Sequence, residues 1–153
     1  MATHGVQRCG RGASHVRVVE LRYLGRGHTD HDIVISVPGT DVLFAGDLLE
    51  NGAVPWYGDG YPLDWVDTAA QLASLVDAER GVVVPGHGDH AGRTFADAQA
   101  ASIAALAALA ERIHTGEITL EDGLAAHPFP EYPQEDARRP LERALAQLRR
   151  ELS

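Results

Sequence analysis

The apolar residues of this 153-residue chain change their spacing along the sequence, and that change limits the fold more than any other feature. Residues 16–24 are rich in β-branched side chains and end at Gly25. Two further apolar runs, at residues 32–37 and 42–45, flank the turn sequence Pro38-Gly39-Thr40-Asp41. The first third of the domain is therefore predicted to be a strand followed by a β-hairpin.

Helical spacing dominates the rest of the chain. A first helix begins near Asp64, after a loop at residues 51–63 that is rich in glycine, proline and aromatic residues, and a buried strand at 81–84 ends at Pro85. Thr119 could cap a short helix. Three longer helices are marked by apolar stripes: Trp65, Ala69, Leu72 and Val76; Phe95, Ala98, Ser102, Leu106, Leu109 and Ile113; and Leu141, Leu145, Leu148 and Leu152. Hairpins mixed with helices predict an α+β or layered α/β fold.

Length and composition predict one domain. The chain is 44% hydrophobic, which is enough for a core, and it shows no internal repeat. Residues 1–15 follow neither the helical nor the strand period, so we predict a mobile tail there and a domain at 16–153. No apolar run approaches the roughly 20 residues of a membrane span, and the amino terminus lacks a signal-peptide pattern, which predicts a cytoplasmic protein.

Charge and cysteine content exclude several functions. The net charge of −9 argues against a general affinity for nucleic-acid phosphates, which requires clustered cations. Cys9 is the only cysteine, so the chain can form neither an intrachain disulfide nor a four-cysteine zinc site. Any metal must therefore bind to histidine, aspartate or glutamate.

Three short segments could carry such chemistry, because in each an apolar run leads into a glycine beside a histidine or aspartate. They are Gly27-His28-Thr29-Asp30, Phe44-Ala45-Gly46-Asp47 and Val84-Pro85-Gly86-His87-Gly88. The side chain after each glycine emerges at a strand end, without neighbouring bulk to obstruct a ligand. Two imidazoles and a carboxylate are donors that Zn²⁺ accepts, so the segments predict a partial metal site.

These segments also resemble, in their order, the third, fourth and fifth metal-binding motifs of the metallo-β-lactamase superfamily. The resemblance covers roughly residues 16–125 and rests on Gly27-His28-Thr29, Gly46-Asp47 and Pro85-Gly86-His87-Gly88. It implies the second half of an αββα sandwich and one or two zinc ions. It further implies that His28 binds the first metal, Asp47 bridges two metals and His87 binds the second.

The chain departs from this family's pattern at one motif. The family's His-x-His-x-Asp-His sequence should precede His28, but the only earlier histidines are His4 and His15, in a segment without aspartate. A chain that begins within the second half would also expose the sheet face that the first half covers. That implies self-association into a homo-oligomer that covers the face, a partly disordered protein, or a truncated product.

Other residues near the motifs are weaker candidates. Asp30 and His31 could assist a metal site, although a local hydrogen bond for Asp30 and exposure of His31 are the expected arrangement. Asp89 and His90 are expected to be solvated loop residues. Four aromatic residues either line a pocket mouth or pack on the sheet: Trp56, Tyr57, Tyr61 and Trp65. Four histidines are expected on the surface: His4, His15, His114 and His127.

The resemblance implies metal-assisted hydrolysis, in which Zn²⁺ lowers the pKa of bound water towards about 7. The substrates would be small molecules with an ester, thioester, lactone or lactam bond, without nucleic-acid or membrane partners. Because one metal motif is missing, activity is expected to be impaired or absent. The alternative is a non-catalytic remnant or interaction domain. A site assembled across a homodimer is a third hypothesis, but a symmetric partner would lack the same donors.

Overall fold

The computed structural model of the chain describes residues 18–151, so the tail predicted at 1–15, with His4, Cys9 and His15, lies outside the described residues. Within that range the elements follow in the order β-β-β-α-β-α-α-α. The strands are β1 (Glu20–Arg22), β2 (Val34–Ser36), β3 (Val42–Glu50) and β4 (Val82–His87). The helices are α1 (Pro62–Leu75), α2 (Arg93–His114), α3 (Leu120–Ala125) and α4 (Arg138–Glu151), with a 3₁₀ turn at Gln134–Ala137.

The four strands form one mixed sheet in the order β1-β2-β3-β4. β1 pairs with β2 and β2 pairs with β3 in antiparallel fashion, whereas β4 runs parallel to β3. The predicted hairpin is confirmed, and its turn is closed by a hydrogen bond from the Thr40 backbone N–H to the Val37 carbonyl (3.0 Å). The parallel β3–β4 pair brings the carboxyl ends of these two strands to one edge of the sheet.

Element boundaries differ from the sequence prediction at several places. β1 ends at Arg22, β2 covers only Val34–Ser36, and β3 continues past residue 45 to Glu50, so Asp47 lies within a strand and not at its end. Helix α1 starts at Pro62 and not at Asp64, because the fixed φ of proline suits the first turn of a helix. The prediction that Pro85 ends the fourth strand is wrong, since β4 continues to His87. Because β4 lies at the edge of the sheet, proline's missing N–H is tolerated there.

Helices α1 and α2 cover one face of the sheet, and α3 and α4 pack against these helices and share the same core. Val34, Leu43, Ala45 and Val83 on this face are at most 4% exposed. They belong to one buried cluster with residues of all four helices, among them Trp65, Leu72, Ile103, Leu106, Leu124 and Leu141. The predicted stripe of α1 is confirmed. In α2, Leu106 and Leu109 of the predicted stripe are buried but Ala98 is exposed, and Leu152 of the last stripe lies outside the described residues. The carboxy-terminal helices thus stabilise the same core as the strands that carry the three motifs.

The opposite sheet face is apolar, and no part of the chain that the structure describes covers it. Leu21 and Phe44, which both lie across the ladder from Ile35, are 38% and 42% exposed, and Tyr23 and Ile33 of the same face are also exposed. A contiguous patch of such side chains is a contact surface in most soluble proteins. None of the described helices is both long and apolar enough to cross a membrane.

Candidate metal centre

Asp47 lies between the two histidines that the sequence singled out. One carboxylate oxygen, Oδ2, is 3.8 Å from Nδ1 of His28, and the other, Oδ1, is 3.6 Å from Nε2 of His87. His28 is mostly buried, Asp47 is about one third exposed and His87 is largely exposed. The three motifs therefore meet at the end of the sheet towards which β3 and β4 run, with a separate carboxylate oxygen facing each imidazole.

A break in the ladder of β3 orients Asp47. Gly46 has a φ of +57°, a left-handed conformation that glycine adopts without the steric penalty of a Cβ. The pairing between β3 and β4 shifts register on both sides of Gly46. Such irregularities re-aim side chains next to functional sites. The left-handed backbone and the register shifts thus explain why a glycine precedes Asp47 in this motif.

Gly86 lets β4 approach Asp47 closely. A Cβ at this position would lie 2.8 Å from the Asp47 Cγ and 2.9 Å from its backbone nitrogen, and closer still to Oδ1. Side-chain carbons essentially never come within 3.0 Å of such atoms. Only glycine at residue 86 therefore allows His87 and Asp47 to keep their present positions.

The loop that carries His28 is fixed by bonds to the start of α1. The backbone N–H of Tyr61 donates to the Gly27 carbonyl (2.8 Å), and the Thr68 hydroxyl donates to the Arg26 carbonyl (2.7 Å). The His28 ring stands edge-on to the buried Trp65 ring, with 6.2 Å between centroids. Burial and these bonds restrict the imidazole to a narrow range of orientations.

Asp32 is a member of the cluster that sequence reasoning missed. Its Oδ1 lies 3.6 Å from Nδ1 of His28, and its Oδ2 accepts a hydrogen bond from the Thr29 backbone N–H (2.6 Å). The carboxylate can therefore orient His28 as well as stabilise the loop. The i,i+4 spacing from His28 was its only sequence signal, and the residue had been read as the start of a strand.

Glu50 is a second acidic residue that the motifs did not reveal. It pairs with His87 in the β3–β4 ladder and is only 6% exposed. Burial raises the pKa of its carboxyl, while a hydrogen bond from the Trp56 backbone N–H (3.2 Å) partly opposes the shift. The negative charge of Asp47 raises this pKa further, and His28 and His87 lower it. Glu50 thus lies within electrostatic range of the cluster.

The remaining candidates lie away from Asp47. His31 and Asp30 form an exposed hydrogen-bonded pair (2.6 Å), as expected, and Asp89 and His90 are exposed. The expectation that His127 is a surface residue is wrong. Its ring is partly buried and Nε2 lies 2.7 Å from the Tyr132 carbonyl, because a left-handed backbone (φ +51°) turns the residue inward.

Of the four aromatic residues expected either to line a pocket mouth or to pack on the sheet, some are buried and others are exposed. Tyr57 and Trp65 are buried and pack together with 5.0 Å between ring centroids, whereas Trp56 is half exposed beneath the Arg139 guanidinium. The Tyr61 ring is covered by the Arg26 guanidinium. The Tyr57 hydroxyl and Trp65 indole N–H are buried without a hydrogen-bond partner in the described part of the chain, and burial holds the pKa of Tyr57 well above its usual value.

The donor types and distances fit metal binding, but the number of donors does not fit a complete catalytic zinc site. Bonds of about 2.0–2.2 Å at tetrahedral angles place zinc ligands roughly 3.3–3.6 Å apart, close to the 3.6 and 3.8 Å between Asp47 and the histidines. Catalytic zinc sites have three protein ligands. Among residues 18–151, no group of three or more histidine, cysteine, aspartate or glutamate side chains is arranged to hold an ion.

Comparisons with known proteins identify relatives of this segment. The family model of the metallo-beta-lactamase superfamily matches residues 10–87, about half of the chain and a range that contains His28, Asp47 and His87. A metallo-beta-lactamase type 2 from Bacteroides fragilis is 34% identical over 77 residues, which are 48% of this chain. The chain covers only 30% of the length of that relative.

Solved structures give the same result for the fold. The crystal structure of VMB-1 at pH 5.5 superposes with a TM-score of 0.51 and 26% identity, over 58% of this chain and 42% of that one. A metallo-beta-lactamase from Pontibacter korlensis has 24% identity and a TM-score of 0.49, over 56% and 41% of the two chains. The family model matches about half of the chain, and this match places the chain in the metallo-beta-lactamase superfamily.

Proposed function

We propose that this chain is a metal-binding domain derived from a zinc-dependent hydrolase, with hydrolytic activity impaired or absent. Its metal ligands are His28, Asp47 and His87, with zinc as the cofactor. The observation that carries the proposal is the position of Asp47, whose two carboxylate oxygens each face a different imidazole. A carboxylate so placed can bridge two ions about 3.5–4 Å apart.

The impairment follows from the donor count. Among residues 18–151, each of the two metal positions has one histidine and a share of Asp47, which is at least one protein ligand fewer than in a catalytic zinc site. Zinc bound by two donors is held weakly and is not oriented by a complete coordination sphere. We therefore derive no catalytic step through the metal for this chain.

Any residual hydrolysis would act on small molecules with an ester, thioester, lactone or lactam bond. The similarity to a metallo-beta-lactamase supports this substrate class, but only over 30% of that relative's length. The net charge of −9 disfavours nucleic-acid substrates, since a negatively charged surface repels phosphates.

The second candidate function is a non-catalytic scaffold or interaction domain that keeps the motifs without binding metal. The specific observation in its favour is the ion-pair geometry between His28 and Asp32 at 3.6 Å, which could satisfy the imidazole in the absence of metal. The two functions differ in whether Asp47 binds zinc or only contributes to the folded structure.

A calorimetric zinc titration separates them. The unmodified chain should bind zinc, and Asp47→Ala and His87→Ala should each weaken binding at least tenfold, about 1.4 kcal/mol. Asp89→Ala and His114→Ala are matched controls, because both residues are exposed and lie outside the cluster. Equal affinities in all five proteins would refute the metal-binding proposal and favour the scaffold. A parallel assay with ester, lactone and lactam substrates should give little or no turnover.

A further inference from the structure

A cavity of about 90 Å³ lies beside β3, between the loop after that strand, helix α2 and the segment around residue 130. Its walls are mainly apolar and aromatic, and among them are Pro55, Phe95, Phe129 and Tyr132. Glu50 and Gln99 are the buried polar residues that line it. Concave apolar walls with few polar groups are typical of small-molecule pockets, and the volume of about 90 Å³ limits the ligand to a small molecule.

The Glu50 carboxylate forms no ion pair with the described residues 18–151, and His28 and His87 act on its pKa only from a longer distance. Its one hydrogen bond within that range comes from the Trp56 backbone N–H. The nearby Gln99 amide bonds to backbone groups: its oxygen accepts from the Glu50 backbone N–H and its nitrogen donates to the Leu48 carbonyl, both at 3.0 Å. Buried carboxylates are normally paired with a cation, since an isolated buried charge costs several kcal/mol.

The charges around the cavity define the missing partner. No arginine or histidine is among the lining residues, and a second acidic residue, Glu131, lies exposed at the rim. An anionic ligand would meet two carboxylates and no cation. A cation with an apolar body would neutralise Glu50 and bury its hydrocarbon against the aromatic walls.

We propose that this cavity binds a small organic cation, a protonated primary amine that carries a short aliphatic or aromatic group. The ammonium donates a charge-assisted hydrogen bond to Glu50, and the apolar group packs between Phe95, Phe129 and Tyr132. Binding here does not require the metal centre, so the two proposals can fail independently.

The test is an NMR titration of the full chain with benzylamine, which is protonated at neutral pH, and with benzyl alcohol, its uncharged counterpart. Benzylamine should bind at least tenfold more tightly than benzyl alcohol. Glu50→Gln, which keeps the acceptor for Trp56, should remove that preference. Equal affinities for the two probes, or an unchanged preference in Glu50→Gln, would overturn the proposal.

A second pair of variants tests the cavity without changing Glu50. Ala98 lines the cavity from the exposed side of α2, so Ala98→Leu should block the mouth and weaken benzylamine binding at least tenfold. Ala101→Leu on the same helix, exposed and outside the cavity, should bind like the unmodified chain. Unchanged binding in Ala98→Leu would refute the site. Loss of zinc affinity in Glu50→Gln with unchanged benzylamine affinity would assign that carboxylate to the metal centre instead.

Discussion

Replacing Gly86 by alanine should disturb the metal centre through sterics alone, without removing any candidate ligand. The added Cβ would lie 2.9 Å from the Asp47 backbone nitrogen, whereas nine in ten such contacts exceed 3.4 Å. The two strands must therefore separate by about 0.5 Å, and the Asp47 carboxylate must leave its place between the histidines. Overpacking of this kind costs about 1–3 kcal/mol.

For a domain of this size, that cost lowers Tm by about 2–12 °C, measurable by thermal unfolding. Zinc affinity in the calorimetric titration should fall at least tenfold, because Asp47 no longer faces both imidazoles. Gly92→Ala is the matched control: its Cβ would meet only the Gly81 carbonyl, at 3.6 Å. It should change zinc affinity little, even though alanine is a poorer N-cap than glycine. A Gly86→Ala protein that binds zinc as the unmodified chain does would refute the proposed position of Asp47.

Three further predictions concern other parts of the molecule. Burial raises the pKa of Glu50 above its ordinary 4.5, so the free energy of unfolding should fall as pH rises through the raised pKa and this carboxyl loses its proton. Urea unfolding at pH 4 and pH 7 measures that fall, and Glu50→Gln should remove the part that this residue causes. Leu141→Ala, at a fully buried site, should lower the unfolding free energy by about 2–5 kcal/mol in the same assay. The unmodified chain should self-associate through its exposed sheet face and Phe44→Glu should not, as measured by light scattering; a monomeric unmodified chain would contradict this.

Local sequence patterns were sufficient to predict the hairpin, helix α2 and the start of helix α3. The hairpin was predictable because Pro38 and Gly39 separate two apolar runs, and α2 because apolar residues recur at helical spacing. The capping role of Thr119 is confirmed, since its hydroxyl accepts the Asp122 backbone N–H at the start of α3. The continuation of β4 through Pro85 was not predictable, because it depends on the strand's position at the edge of the sheet.

The candidate centre was predictable only in part, for a similar reason. His28, Asp47 and His87 were found because each follows a glycine after an apolar run, and the fold brings them together, although Asp47 lies within β3 and His28 in the loop after β1. Asp32 and Glu50 were missed because what distinguishes them is tertiary: the turn after His28 points Asp32 back at the ring, and packing against α2 buries Glu50. Neither effect leaves a pattern in the local sequence.

The most direct test of the metal centre is the zinc content of the chain after equilibrium dialysis against zinc, measured by elemental analysis with Asp47→Ala in parallel. We expect at least one zinc ion per unmodified chain and markedly less in the variant, because Asp47 is the donor common to both metal positions. Equal zinc content in the two proteins, or none in either, would contradict this expectation.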